Sequence, residues 1–301
     1  MPPVGAGDVR VLALHGALSR GTEALIFAAR VPPSEHQRMR APYMGGSFPF
    51  PVKYGYSTVG VIEAGPSALI GRKVFALHPH QTRFVIPSDV AVPLPDNVPP
   101  ARAILAANME TALNAVWDAA PGPADHIAVI GAGVVGALVA WLCGKLPGAQ
   151  VTLVDVDASR AALAGLLGVG FASPEGAPAN SDLVIHASGS GKGLATALTL
   201  AGDEATILDI SWYGADHVTL PLGGAFHSRR LKLISSQVGQ VASSHRARWS
   251  HRRRLAAALA LLADPVLECL IAPAVNFVDL PVRLPHILAP GSGVLCQRID
   301  Y

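Results

Sequence analysis

Apolar and polar positions along this chain follow two rhythms, and one gives way to the other near residue 120. Up to residue 100 the apolar runs are short and set among Pro and Gly, at 9–14, 58–64, 73–77, 83–86 and 90–94. Short runs at that spacing predict the strands of a small antiparallel barrel or sandwich. Residues 99–120 predict a helix that ends at Pro121-Gly122-Pro123. From His126 onward strand-like and helix-like runs alternate. Strands are expected at 127–130, 151–155, 168–172, 183–187, 205–210 and 231–235, and helices at 134–146, 158–167 and 193–201. Six strands with interleaved helices predict a doubly wound parallel sheet. Residues 252–262 predict one more helix, and the Pro-rich remainder reads as strands that return to the first region. The expectation is an α/β protein in three segments, 1–117, 118–245 and 246–301.

Composition narrows the class. The 301 residues are 50% hydrophobic and 15% charged, enough apolar surface for a large core. With 23 Lys and Arg against 21 Asp and Glu, no strong field for nucleic acid or membrane is expected. The run His245 to Arg254 carries five arginines and one aromatic, and reads as a solvated loop and helix entry rather than a nucleic-acid patch. Cys143, Cys269 and Cys296 are scattered without a C-x-x-C pair, which fits a reducing cytoplasm. The start lacks a basic region and an apolar signal core. The apolar stretch 127–143, 17 residues with three glycines, is short for a membrane span. A soluble, cytoplasmic protein is expected, acting on a small molecule.

The most informative stretch is His126-Ile-Ala-Val-Ile-Gly131-Ala132-Gly133-Val134-Val135-Gly136. An apolar strand runs into Gly131-x-Gly133-x-x-Gly136, a helix follows, and Asp155 closes the next strand 19 residues past Gly136. That arrangement predicts a dinucleotide-binding βαβ unit. Gly131 permits the tight turn, Gly133 lets a pyrophosphate approach the backbone, and Gly136 lets helix and strand pack closely. The N–H groups of the helix start, at Val134 and Val135, attract phosphate. Asp155 suits the two ribose hydroxyls of NAD and repels a 2′-phosphate. Arg160 softens that repulsion or sits as a solvated helix-face arginine, so NAD is favoured over NADP.

Several motifs together resemble the medium-chain dehydrogenase/reductase superfamily, the zinc-type alcohol dehydrogenases. They are Pro2-Pro-Val-Gly-Ala-Gly-Asp8-Val-Arg-Val, Gly21-Thr22-Glu23, Gly55-Tyr-Ser-Thr-Val-Gly60-Val-Ile-Glu-Ala-Gly65, Gly131 to Gly136, and Leu183-Val-Ile-His-Ala-Ser188-Gly189. Ser19-Arg-Gly-Thr-Glu23 is most similar to a branch that also contains bacteriochlorophyllide dehydrogenases. The resemblance implies a GroES-like β-rich domain, a Rossmann domain, Ser188 in the cofactor site, and a homodimer formed through the outer strand of the Rossmann sheet. It also implies a strand pair before the first motif, but the chain opens already inside that motif: either its start is misassigned or this member lacks the hairpin, which leaves a sheet edge exposed.

The departures from that family are chemical. Its zinc ligands fall at positions held here by Arg20, by Tyr56 and, within Ala106 to Glu110, by Ala107. The four-cysteine structural lobe is missing between Phe75 and Pro87. Zinc needs about three N, S or O ligands from protein, so no family-type zinc is expected. Glu110, His78 and His80 offer an unrelated site in principle, but His78-Pro79-His80 reads as a surface loop. Without a metal, hydride transfer to or from a carbonyl/alcohol pair needs hydrogen-bond donors at the developing oxyanion. Tyr56 is the first candidate, with Lys53 as a group that lowers its pKa if the strand bends; its alternative is a barrel-core aromatic. Arg20 follows, as a carbonyl or anion binder or as the ion-pair partner of Glu23. Thr22 and Asn114 offer smaller contacts, and Glu110 an acid/base group or a helix-cap carboxylate. Residues 31–50, with Met39, Tyr43, Met44 and Phe48, line a pocket or pack as a surface loop. Two other readings stay open: a quinone or enone reductase, and a nucleotide-binding regulator without catalysis.

Overall fold

A computed structural model describes residues 3–301, so Pro2 of the opening motif lies outside the described residues. The first segment begins with β1 (Asp8–Leu18), whose Val9, Val11 and Ala13 alternate inward and are at most 3% exposed. α1 (Arg20–Phe27) follows at once, so the Ser19 to Glu23 motif is a helix start, an element the short run did not announce. Then come the paired β2 (Gly45–Gly46) and β3 (Val52–Lys53), followed by β4 (Thr58–Ala64), β5 (Lys73–Ala76), β6 (Arg83–Pro87) and β7 (Val92–Pro93). The helix expected at 99–120 is two helices, α2 (Pro100–Ala103) and α3 (Ala106–Ala119).

The parallel region consists of β8 (His126–Ile130), α4 (Val134–Gly144), β9 (Gln150–Val154), α5 (Arg160–Leu167), β10 (Gly170–Ala172), β11 (Ser181–His186), α6 (Gly191–Leu200), β12 (Ala201–Asp209), α7 (Ala225–Ser228) and β13 (Lys232–Ser235). Its sheet runs β10-β9-β8-β11-β12-β13, every pair parallel, with the order reversing around β8. Strands covered on both faces must be apolar throughout. Accordingly Ile127, Ala128, Val129 and Ile130 are all buried, and Ala137 to Ala140 of α4 have no exposed surface. α5 stops at Gly168, which adopts the left-handed conformation (φ +73°) that ends helices.

The chain then returns through α8 (His251–Leu261), β14 (Ile271–Asn276), α9 (Leu280–Leu288) and β15 (Cys296–Asp300). The tail was expected as strands alone, and α9 corrects that. Pro281 sits in its first turn, where the missing N–H has no helical partner to lose, and Leu280, Ile287 and Leu288 bury one face. The sheet of this region has the order β14-β15-β1-β4-β5-β7, with β6 also pairing with β1. β1 is therefore interior, while among the described residues β14, β7 and β6 each pair with one strand only.

Two compact units result: the chain up to Ala107 together with Arg252–Tyr301, and Asn108–His251. The sequence divisions, after 117 and after 245, fall within α3 and in the loop before α8. Among the arginines of the 245–254 run, Arg254 is only 1% exposed, so it is a core residue of its unit rather than part of a solvated face. Among the described residues no helix is long and apolar enough to cross a membrane.

Candidate functional site

In the parallel unit the glycine loop has the steric form its spacing predicts. Gly131 has φ +102°, and a Cβ there would stand 2.7 Å from the Ser188 Cα and N. A Cβ on Gly136 would fall inside the carbonyl oxygen of Gly131. Gly133, between them, meets nothing within 4 Å and is exposed, while Ala132 is buried and Val134 and Val135 are half-buried. Two glycines are thus required by the protein itself, and the third leaves space in front of the α4 N-terminus. That end carries unpaired N–H groups and a partial positive charge.

Asp155 follows β9 directly. Its Oδ2 accepts the Ala132 N–H at 2.6 Å and its Oδ1 accepts the Asp157 N–H at 2.9 Å. These bonds tie the carboxylate to the glycine loop, and an ionised carboxylate has acceptor sites to spare for hydroxyls. Arg160 places its Nε 3.3 Å from Asp157 Oδ2. Hydrogen bonds from the Ser159 hydroxyl and N–H, with Arg160 nearby, hold the Asp157 carboxyl below its usual range. Ser188 is exposed and its Oγ lies 2.6 Å from His186 Nε2.

The other unit gathers a polar cluster where β1 meets α1. Arg20 donates to the carbonyls of Val294 and Ala289 at 2.6 and 3.0 Å, so it ties α1 to the end of α9. Glu23 pairs instead with His80, Oε2 to Nε2 3.0 Å, and its Oε1 accepts the Ser19 N–H at 2.8 Å. The other His80 nitrogen is 3.2 Å from the Tyr301 hydroxyl. Glycines make the room: a Cβ on Gly55 would stand 2.8 Å from the His80 ring, and one on Gly16 2.8 Å from the Tyr301 hydroxyl. Tyr56 shares hydrogen bonds with the Ser19 and Thr22 side chains. Burial pushes its phenol up to about 12 against those bonds, so it stays protonated near neutral pH. Lys53 binds Gln81 Oε1 at 2.7 Å and is not among the groups that shift Tyr56.

Leu18, Ile26, Tyr54, Leu284, Glu23 and His80 are among the residues that line a cleft of about 280 Å³ in this unit. The surface-loop expectation for His78-Pro79-His80 is corrected here. His78 is 4% exposed and stacks on Phe84 at 3.8 Å between ring centres, while His80 carries the Glu23 pair. Of the 31–50 loop, Met44 and Phe48 are buried and Tyr43 stacks on His78 at 5.5 Å.

Ala107 is buried in α3 and has no side chain that could bind a metal. Among the described residues no three His, Cys, Asp or Glu side chains come together as a metal-ligand set. Glu110 and Asn114 belong to the parallel unit. Glu110 is buried within α3, past its first turn, and so does not cap it. Asn114 contacts Asp118 and Ser236 and accepts the Ala242 N–H at 3.0 Å, which makes it a loop anchor.

Two pairings have no local signature in the sequence, Glu23 with His80 and His186 with Asp209. His80 needed Gly55 to be recognised as space for a ring. His186 and Asp209 end two apolar runs and meet only because β11 and β12 pair in register. A polar residue closing each of two adjacent buried strands was the available signal.

No family model matches this sequence, and no curated protein matches it. Solved structures do. A protein described as a zinc-binding dehydrogenase from Sinorhizobium meliloti, bound to NADP, aligns over 100% of this chain and 94% of its own at 15% identity, TM-score 0.76. An alcohol dehydrogenase from Escherichia coli in complex with NADH aligns over the same shares at 17% identity, TM-score 0.76. The 2R,3R-butanediol dehydrogenase of Bacillus subtilis aligns likewise at 13% identity, TM-score 0.77. The chain shares the fold of these solved dehydrogenases, a GroES-like β-rich unit and a Rossmann unit with a parallel sheet.

Proposed function

We propose that this chain is an NAD(H)-dependent oxidoreductase that moves hydride to or from a carbonyl/alcohol pair of a small molecule, without a family-type zinc. The observation that carries the reading is the open backbone at Gly133, held between two sterically required glycines and faced by a carboxylate fixed on the loop. A nicotinamide bound in that unit supplies or accepts the hydride. The α4 N–H groups bind its phosphates, and Asp155 accepts from ribose hydroxyls. Two acids follow β9, and Arg160 is engaged with the second of them, which favours NAD over NADP. The solved relatives include one bound to NADP and one bound to NADH, so the preference rests on these side chains.

Asp155→Ala tests this directly. Loss of a charged hydrogen-bond acceptor weakens NADH by about tenfold or more, and NADPH, which Asp155 repels, far less. Equal losses for both nucleotides in a fluorescence titration would sink the assignment.

The proton side of the reaction is assigned to Tyr56, a protonated phenol braced by Ser19 and Thr22. Arg20 and Thr22 then act by positioning. Position by position, Arg20, Tyr56 and Ala107 are a poor donor set for zinc, since a guanidinium stays protonated and an alanine has no donor atom. The apolar cleft favours a substrate with a hydrophobic body, and an enone or quinone meets that condition as well as a simple ketone does. The free cysteines agree with a reducing cytoplasm.

A homodimer through β13 is part of the proposal. That strand ends the parallel sheet, and Leu233 and Ile234 on it are 36% and 39% exposed. Light scattering is expected to give twice the chain mass for the native protein and the single-chain mass for Ile234→Lys. A native protein that is already monomeric removes this part of the proposal.

A further inference from the structure

Four polar side chains meet at the carboxyl ends of β11 and β12. His186, which has no exposed surface, ends β11, and its register partner Asp209 ends β12. His186 Nδ1 lies 3.0 Å from Asp209 Oδ1, which also accepts the Ser211 N–H at 2.9 Å. The Tyr213 hydroxyl donates to Asp209 Oδ2 at 2.8 Å. On the other side of the ring, His186 Nε2 lies 2.6 Å from Ser188 Oγ. Burial pulls the Asp209 carboxyl up, but the bonds from His186, Ser211 and Tyr213 outweigh it and hold the group below its usual range.

Those partners determine where the protons sit. An ionised carboxylate only accepts, so Nδ1 carries a proton, and in the tautomer with that proton alone Nε2 is an acceptor. The Ser188 O–H then points inward to Nε2. One lone pair of its oxygen faces the Ser190 N–H at 3.3 Å, and the other is left for a donor from outside. The fold keeps this arrangement clear of α6: a Cβ on Gly193 would stand 2.8 Å from His186 Nε2 and closer still to Ser188 Oγ.

The position of Ser188 says what that donor belongs to. Its backbone is the wall against which Gly131 turns. β11 flanks β8 on the side opposite β9, the strand that leads into Asp155. A dinucleotide whose adenosine ribose is held at Asp155 and whose pyrophosphate crosses the glycine loop brings its nicotinamide half to the β11 side.

We propose that Asp209, Tyr213 and His186 are positioning residues that fix the Ser188 hydroxyl as a hydrogen-bond acceptor for the nicotinamide half of the cofactor, either its carboxamide N–H or its ribose O–H. This inference rests on the NAD(H) reading above. It differs from a nucleophilic serine in that the hydroxyl is oriented for recognition and reacts with nothing.

Calorimetric titration of the full chain with NADH and with AMP, which lacks the nicotinamide half, separates the cases. Ser188→Ala is expected to weaken NADH about fivefold and to leave AMP unchanged. His186→Phe keeps a ring but no nitrogens and is expected to weaken NADH equally. The double variant should be no worse than either single one, because both remove the same contact; independent contributions would multiply. Nitrogen NMR of the native protein supplies a readout that needs no substitution at the buried histidine, with a protonated Nδ1 and a bare Nε2 expected for His186. A multiplying double variant, an equal loss of AMP affinity, or a proton on Nε2 overturns the relay while leaving the NAD(H) reading intact. A native chain that binds neither nucleotide overturns both.

Discussion

Gly133→Ala is expected to abolish tight NADH binding while the protein remains folded, and Gly136→Ala to lose both binding and stability. The two glycines are three residues apart and constrained differently. Nothing lies within 4 Å of a Cβ on Gly133, whose φ of −73° suits alanine. Such a methyl costs the fold at most about 1 kcal/mol as a poorer helix cap. It projects into the space assigned to the pyrophosphate, where backbone N–H groups must come within hydrogen-bond distance, and a loss of about hundredfold or more is expected. At Gly136 the methyl overlaps the Gly131 carbonyl and presses the Ala187 Cβ at 3.3 Å, so the β8–α4 packing must spread. That overpacking costs about 1–3 kcal/mol of folding stability and displaces Gly131, so binding falls with it. Thermal melts and NADH titrations on both variants separate the effects. A Gly133→Ala protein that binds NADH like the native chain would mean that this loop holds no phosphate.

Tyr56→Phe is expected to lower kcat by about 10²- to 10³-fold, since a single donor to a developing oxyanion contributes roughly 3 kcal/mol. NADH affinity should not change, because the loop and Asp155 lie in the other compact unit. The phenol is pushed up to about 12 by burial, so the native protein keeps this donor protonated through pH 7 to 9, about three pH units or more below the range in which Tyr56 ionises and about one unit or more below that of a free tyrosine. The sign for stability follows: the neutral phenol contributes fully below about pH 10, and its contribution is lost as pH rises toward the folded value. Steady-state kinetics with saturating NADH read the first expectation. A Phe variant with native kcat would return Tyr56 to the role of a barrel-core aromatic.

The residues that were legible in the sequence are those whose constraints are local. Gly131, Gly133, Gly136 and Asp155 belong to one strand-turn-helix-strand unit, so spacing alone fixes their relation, and the alternation of β1 and the apolar run of β8 announce their burial. α9 was hidden because Pro281 and Pro285 carry a strand-breaking and helix-breaking signal, while the contacts that stabilise it come from Ile299 on the next strand and from Leu18, far away in the chain. His78 and His80 looked like loop residues because their burial depends on Phe84, Glu23 and the missing side chain at Gly55. Arg20 carried a charge that suggested ligand binding, and its partners, two carbonyls near the end of α9, lie more than 260 residues away. The His186 relay needed the parallel register of β11 and β12, which no local pattern encodes.

Hydride transfer from NADH to a small carbonyl compound without zinc is the activity to be tested. The most direct measurement follows NADH oxidation by its absorbance, using chelator-treated protein of verified metal content, across a panel of hydrophobic ketones, aldehydes, enones and quinones. Turnover is expected on at least one class at substoichiometric zinc, abolished in Gly133→Ala and strongly reduced in Tyr56→Phe. Turnover that appears only when stoichiometric zinc is restored would contradict it. So would NADH bound tightly with no oxidation on any member of the panel, the result expected of a nucleotide-binding regulator.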